Sequence, residues 1–238
     1  MRTAFKSEAY FDRFLAESLE IFEETKAKLG AGEIRSDRIP AVRRSLFRHS
    51  LHRLIANYSY GVSIKELTPM YRESLSLISI CWPDDGSEDM PDYLKDWYVK
   101  MLWMLSFGIF LNISDEDFAK IVSVWDKTGR QDWLIDYLIA YRIPDRPIVD
   151  TLIFPKPYAA LKKAVDESDP HKRSAIVKHY LEKEWYSGQK GVYWYEDHKN
   201  VHDIFFGYWS FESAAVVKIA GIDDSSFRDN MYYPKDLL

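Results

Sequence analysis

Apolar positions recur with the period of a helix along almost the whole chain. Phe11, Phe14, Leu15, Phe22 and Leu29 fall three, four and seven residues apart, and Glu17, Glu20, Glu23 and Glu24 take the exposed positions of the same helix. Gly30 and Gly32 end it. Ser36 or Asp37 can cap a second helix, with Pro40 in its first turn; Ile39, Val42, Leu46, Ile55 and Tyr58 bury one face and arginines line the other. Ser63 and Glu66 form a capping-box pattern that opens a third helix, through Leu67, Met70, Tyr71 and Ile78 to Cys81. Pro83 and Gly86 then break the pattern.

From Tyr93 to Leu111 the chain is nearly all apolar, so this helix is predicted at a centre, covered on every side. Ser114 with Asp117 opens the next helix, through Phe118, Ile121 and Trp125 to Gly129; another runs from Trp133 to Tyr141. Four prolines between Pro144 and Pro157 exclude a long helix there. That stretch divides the chain into an N-terminal part, 1–142, and a C-terminal part, 143–238, expected to pack as one globular unit. Beyond it the pattern predicts helices over 156–166, over 170–185 behind a capping Asp169, and over 200–220 as an aromatic helix. No strand alternation is present, so the expected fold is all-α: a compact bundle of about nine helices. The tail, DDSSFRDNMYYPKDLL, is too aromatic for a solvated coil and is expected to dock.

Composition narrows the classes. With 47% hydrophobic and 16% aromatic residues, the 238-residue chain can build a substantial core. Its charge of −5 is spread evenly: residues 1–125 hold 16 Lys/Arg against 19 Asp/Glu, and residues 126–238 hold 16 against 18. Neither half is basic, which argues against a phosphate-tracking groove and direct nucleic-acid binding. A single cysteine, Cys81, excludes an intrachain disulfide and a cysteine-based zinc site, and fits a reducing compartment. The N-terminus has Glu8 and Asp12 among its first apolar residues, unlike a secretory signal. The longest apolar run, 101–111, is well short of the ~20 residues that span a bilayer. A cytoplasmic protein without membrane contact is expected.

Candidate chemistry is sparse. His198 and His202 would share a helix face at i, i+4 spacing with Asp197 and Asp203 nearby, the arrangement of a metal-dependent hydrolase; Lys199 stands where a zinc protease has glutamate. The alternative is that both histidines flank the last helix. His49 and His52 are also paired, but Arg43, Arg44, Arg48 and Arg53 would repel a cation. Arg35, Arg38, Arg43, Arg44, Arg48 and Arg53 could contact phosphates or pair with Glu17, Glu20, Glu23 and Glu24 of the first helix. Glu212, in an otherwise apolar helix, needs a partner or a proton; arginines of the second helix are candidates. No Gly-rich phosphate loop and no GxSxG motif occurs. Between Asp84 and Asp96 lie six carboxylates, Asp84, Asp85, Glu88, Asp89, Asp92 and Asp96, against the single Lys95. Exposed at a Pro/Gly break, they suit the steering of a basic partner, or they favour the N-terminus of the helix that follows.

Two segments carry a resemblance. GYWSFESAAVVKIAGIDDSSFRDNMYYPKDL resembles the C-terminal signature of bacterial PoNi-type immunity proteins. YFDRFLAESLEIFEE with IRSDRIPAVRRSLFRHSLHRLIANYSYG is similar to their N-terminal half. The signature residues here are Tyr208, Trp209, Phe211, Glu212, Phe227, Arg228 and Tyr233, read as core and tail-docking residues. The resemblance implies a non-enzymatic protein, with no cofactor and no metal, that binds a cognate nuclease toxin. That toxin would be of the PoNe type, a metal-dependent DNase with a PD-(D/E)xK-like core, delivered between competing bacteria, often by type VI secretion.

Overall fold

The computed structural model describes residues 1–82 and 91–238, with residues 91 and 92 as backbone only. No strand occurs among them; the architecture is all-α. Helices α1 (Glu8–Gly30), α2 (Ile39–Tyr60), α3 (Ile64–Cys81), α4 (Pro91–Phe110), α5 (Asp115–Asp126), α6 (Trp133–Ala140), α7 (Pro155–Asp166) and α8 (Pro170–His179) follow in order. A π turn, Tyr180–Glu184, then carries α8 without a break into the short α9 (Trp185–Gly188), and α10 (Phe211–Ala220) comes last. With α8, the π turn and α9 taken as one rod, the described residues form nine helical elements. None is long and apolar enough to cross a membrane.

The helix ends obey local chemistry. Ser114 accepts from the Asp117 amide and Asp169 from those of His171 and Lys172, each relieving donors that a first turn leaves open. Two capping expectations need correction. Neither Ser36 nor Asp37 caps α2, because a 3-10 turn, Ser36–Arg38, precedes it and Arg35 takes the Asp37 carboxylate at 2.7 and 3.1 Å. Ser63 donates its hydroxyl to the Glu66 carboxylate at 2.6 Å rather than accepting from an amide. α2 ends on Gly61 at φ +108°, a conformation open to glycine, with Met1 packed against its α-carbon.

Two compact units share the chain discontinuously. The first comprises Met1–Met90 with Glu196–Tyr208. Here α1, α2 and α3 pack together around Phe11, Phe22, Phe47, Leu51, Tyr58 and Tyr71, all at most 1% exposed. Each such side chain contributes about 1.5–3 kcal/mol by leaving water. The strap 196–208 joins this unit because hydroxyls satisfy its carbonyls: Tyr10 donates to Phe205 O at 2.9 Å and Ser59 to Phe206 O at 2.8 Å. His52 stacks on the Phe206 ring at 3.9 Å.

The second unit comprises Pro91–Tyr195 with Trp209–Leu238. α4 is its core, with Met101, Leu102, Met104, Leu105 and Phe107 fully buried against α5, α6 and α10. The proline-rich stretch runs inside this unit without a helix until α7 begins at Pro155, and Arg146 holds it by bridging Asp126 at 2.6 Å and buried Asp136 at 2.8 Å. Asp132 is fully buried and caps α6 through the Leu134 and Ile135 amides. It also accepts from Tyr98 at 2.9 Å and from the Ile153 amide at 2.7 Å, so one carboxylate ties α4, α6 and the proline stretch together. The tail docks: Phe227, Tyr233 and Leu237 are buried, and Tyr232 O accepts from the Ser210 amide at 2.8 Å.

Candidate partner-binding surface

Of the six carboxylates proposed to steer a partner, Asp84, Asp85, Glu88 and Asp89 lie outside the described residues, as does the side chain of Asp92 in the first turn of α4. Asp96 is described and points inward. It is 8% exposed and accepts from the Tyr193 amide at 3.1 Å. Burial raises its pKa, opposed by Lys100 one turn along and by that amide. The Lys100 ammonium is itself buried, 4.5 Å above the Trp97 ring and 4.6 Å above that of Tyr193. Lys95 donates to Gly188 O at 2.6 Å, and burial lowers its pKa. The inner end of the acidic segment therefore anchors α4 to residues 188–193.

The histidine pair does not form the expected geometry. The last helix begins at Phe211, not near residue 200, because Gly207 at φ +135° and the extended run before α10 interrupt the pattern. His198 sits in a 3-10 turn, Asp197–Lys199; its amide donates to the Tyr208 hydroxyl at 3.0 Å and its ring Nδ1 lies 2.8 Å from the same oxygen. Phe5 packs 5.0 Å from the imidazole. Burial lowers the His198 pKa, then Lys199. His202 is exposed, its amide held by Asn200. Among the described residues no three His, Cys, Asp or Glu converge as metal ligands. His49 is part-buried, and burial followed by Arg48 and Arg53 lowers its pKa.

Among the described residues, no ion pair joins the arginines of α2 to Glu17, Glu20, Glu23 or Glu24 of α1. Arg53 reaches Glu73 of α3 at 3.3 Å, with Lys26 on the same carboxylate at 3.6 Å, and lies 5.1 Å above the Phe22 ring. Glu24 takes Lys28 at 2.6 Å.

Glu212 also finds other partners than expected. It is 2% exposed, and its Oε1 accepts from Trp185 Nε1 at 2.7 Å, Ser210 Oγ at 2.8 Å and the Tyr180 hydroxyl at 3.2 Å. No arginine is involved. Burial pushes its pKa up, and these donors oppose the rise. The π turn makes the arrangement possible. Residues five apart lie about 140° around a regular α-helix, whereas the Trp185 amide here bonds to Tyr180 O, bringing both side chains to one side.

The other signature residues are structural contacts. Tyr208 packs edge-on to Phe205 at 4.8 Å, Trp209 is 5% exposed, and Phe211 lies 4.5 Å from Phe107. Arg228 pairs with Asp224 at 2.6 Å, and Tyr233 donates to that carboxylate while meeting Phe227 edge-on at 5.1 Å.

By sequence, Asp197 is only an acid beside the histidines. It is 9% exposed and accepts no hydrogen bond from a side chain or amide among the described residues; burial alone pushes its pKa up to about 6. It follows Glu196, which stands at φ +66°.

The fold is shared with a solved bacterial structure. Protein PA2201 from Pseudomonas aeruginosa is 18% identical, with 96% of this chain and 85% of that one covered at a TM-score of 0.67. No curated protein sequence matches. Two family models match in order along the chain: residues 2–123 match the N-terminal model of the PoNe immunity proteins (PoNi), and residues 130–237 match their C-terminal model. The chain belongs to the PoNe immunity protein family.

Proposed function

We propose that this protein binds a PoNe-type DNase toxin in the bacterial cytoplasm and neutralises it, protecting the cell from its own or a sibling's toxin in contests that include type VI delivery. The observation that supports this most is the ordered match of both family models across residues 2–123 and 130–237. A surface that grips DNA is basic, and the acidic segment Asp84, Asp85, Glu88, Asp89, Asp92 and Asp96 is its counterpart in sign. Asp96 works from inside, fixing the end of that segment to Tyr193, while its other members steer the toxin.

Co-expression with the toxin tests the reading. Growth rescued by this chain, with a complex that co-purifies, supports it; toxicity undiminished by the chain overturns it. Reversing the charges of Asp85, Glu88 and Asp89 is expected to slow association and flatten its salt dependence, leaving dissociation nearly unchanged. Unaltered association kinetics would remove the acidic segment from the interface.

A further inference from the structure

Five carboxylates among the described residues are buried: Asp96, Asp132, Asp136, Asp197 and Glu212. Four have donors. Asp96 has the Tyr193 amide, Asp132 has Tyr98 and three amides, Asp136 has Arg146, and Glu212 has Trp185, Ser210 and Tyr180. Asp197 has none. An ionised carboxylate in that position is costly, and folded proteins normally supply a partner or exclude the group.

The chain's own cations nearby are engaged elsewhere, Lys6 over the Tyr10 ring at 4.9 Å. Arg13 is held by Asp203 at 3.3 Å and by Ala9 O at 3.2 Å. Lys199 turns to Glu196 at 2.7 Å. A left-handed Glu196 sets the turn, an uncommon backbone state for a residue with a side chain. Tyr10 senses both Asp203 and Asp197, which raise its pKa after burial does, so the two acids share one neighbourhood. Further along the same strap Val201 is 88% exposed and Ile204 40%, apolar surface suited to the methylene stem of a long basic side chain. A bare metal ion is the wrong guest, since it needs several oxygen or nitrogen ligands and, among the described residues, no three acids or histidines converge.

We propose that Asp197 is a vacant acceptor for a lysine or arginine of the nuclease toxin, and that binding completes an ion pair which the free protein leaves open. This rests on the reading of the chain as a toxin-binding immunity protein. The charged and titratable groups around Asp197 are Lys6, which precedes α1, Tyr10 and Arg13 from α1, and Glu196, His198, Lys199 and Asp203 from the strap. Because free Asp197 is largely protonated below pH 6, pairing with a cation must release its proton.

The test is calorimetric titration of catalytically inactivated toxin into the wild type and Asp197→Asn, between pH 5.5 and 7.5, in buffers of different ionisation enthalpy. The wild type is expected to release most of one proton at pH 5.5 and to bind more tightly as pH rises through about 6. Asp197→Asn is expected to release none through this site and to bind roughly 30-fold more weakly at pH 7.5. Wild-type affinity and pH profile in Asp197→Asn overturn the proposal while leaving the immunity function in place. Should that variant not fold, the absence of proton release by the wild type overturns it. A wild type that binds no toxin at all overturns both readings.

Discussion

Trp185 Nε1 lies 2.7 Å from Glu212 Oε1, the oxygen that also receives the Ser210 and Tyr180 hydroxyls. Three donors converging on one buried oxygen join α10 to the π turn and the start of α9. Their removal should be felt as stability, because each is a buried donor held by that one oxygen. Glu212→Ala leaves three buried donors without an acceptor and is expected to cost about 3 kcal/mol or more in urea unfolding. Glu212→Gln keeps an acceptor of the same shape and is expected to cost less than half as much. Equal losses in the two variants would show that charge, and not the acceptor, is what the donors require.

Asp197 gives a pH dependence of opposite sign to an ordinary paired acid. Its folded pKa, about 6, lies above the unfolded value, so its protonation stabilises the fold; that contribution is fully present below about pH 4 and is lost as pH rises through 6. Asp197→Asn mimics the protonated form. Its melting temperature relative to wild type is expected to rise from pH 4 to pH 7 and then level off. A constant difference across that range would mean that burial does not perturb this acid.

Gly188 is required by contact, not by backbone angle. A β-carbon there would stand 2.5 Å from Pro157 Cβ and 3.2 Å from its Cα, and a proline ring has little room to yield. Gly188→Ala should cost about 1–3 kcal/mol by thermal unfolding. The neighbouring Lys95 bond to Gly188 O makes the same change weaken protection of the α4 start in hydrogen exchange. An alanine variant as stable as wild type would place α7 and α9 further apart than described.

The tail is part of the second unit's core. Truncation after Asn230 removes Tyr232, stacked on Tyr186 at 5.3 Å and 4.9 Å from Trp185, together with buried Tyr233 and Leu237. A loss of more than about 3 kcal/mol is expected, with exposure of Trp185 read by its fluorescence. The Ser210 amide, which loses its Tyr232 acceptor, should exchange quickly. Unchanged fluorescence and exchange would show the tail to be dispensable.

Much of the helix inventory was legible because helix caps and apolar periods are local. α1 ends at Gly30, Ser114 and Asp169 cap as read, and the apolar stretch in α4 is buried throughout its middle. The failures came where a backbone group found its partner far along the chain. Residues 200–210 carry a helical apolar pattern, yet Phe205 and Phe206 give their carbonyls to Tyr10 and Ser59, and Ser210 gives its amide to Tyr232. Gly207 was the local signal that could have warned of this. The π turn had no sequence signal at all.

Sequence by itself determined the helical class, the family, and which residues had to leave water, because period, composition and motif order are properties of neighbours along the chain. Only tertiary structure decided who satisfies the buried charges. Glu212 turned to an indole and two hydroxyls instead of arginine, Arg53 turned to α3 instead of α1, and Asp197 was left with none. A buried charge is governed by distances of a few ångströms between residues as far apart in the chain as Asp96 and Tyr193, and periodicity does not encode that geometry.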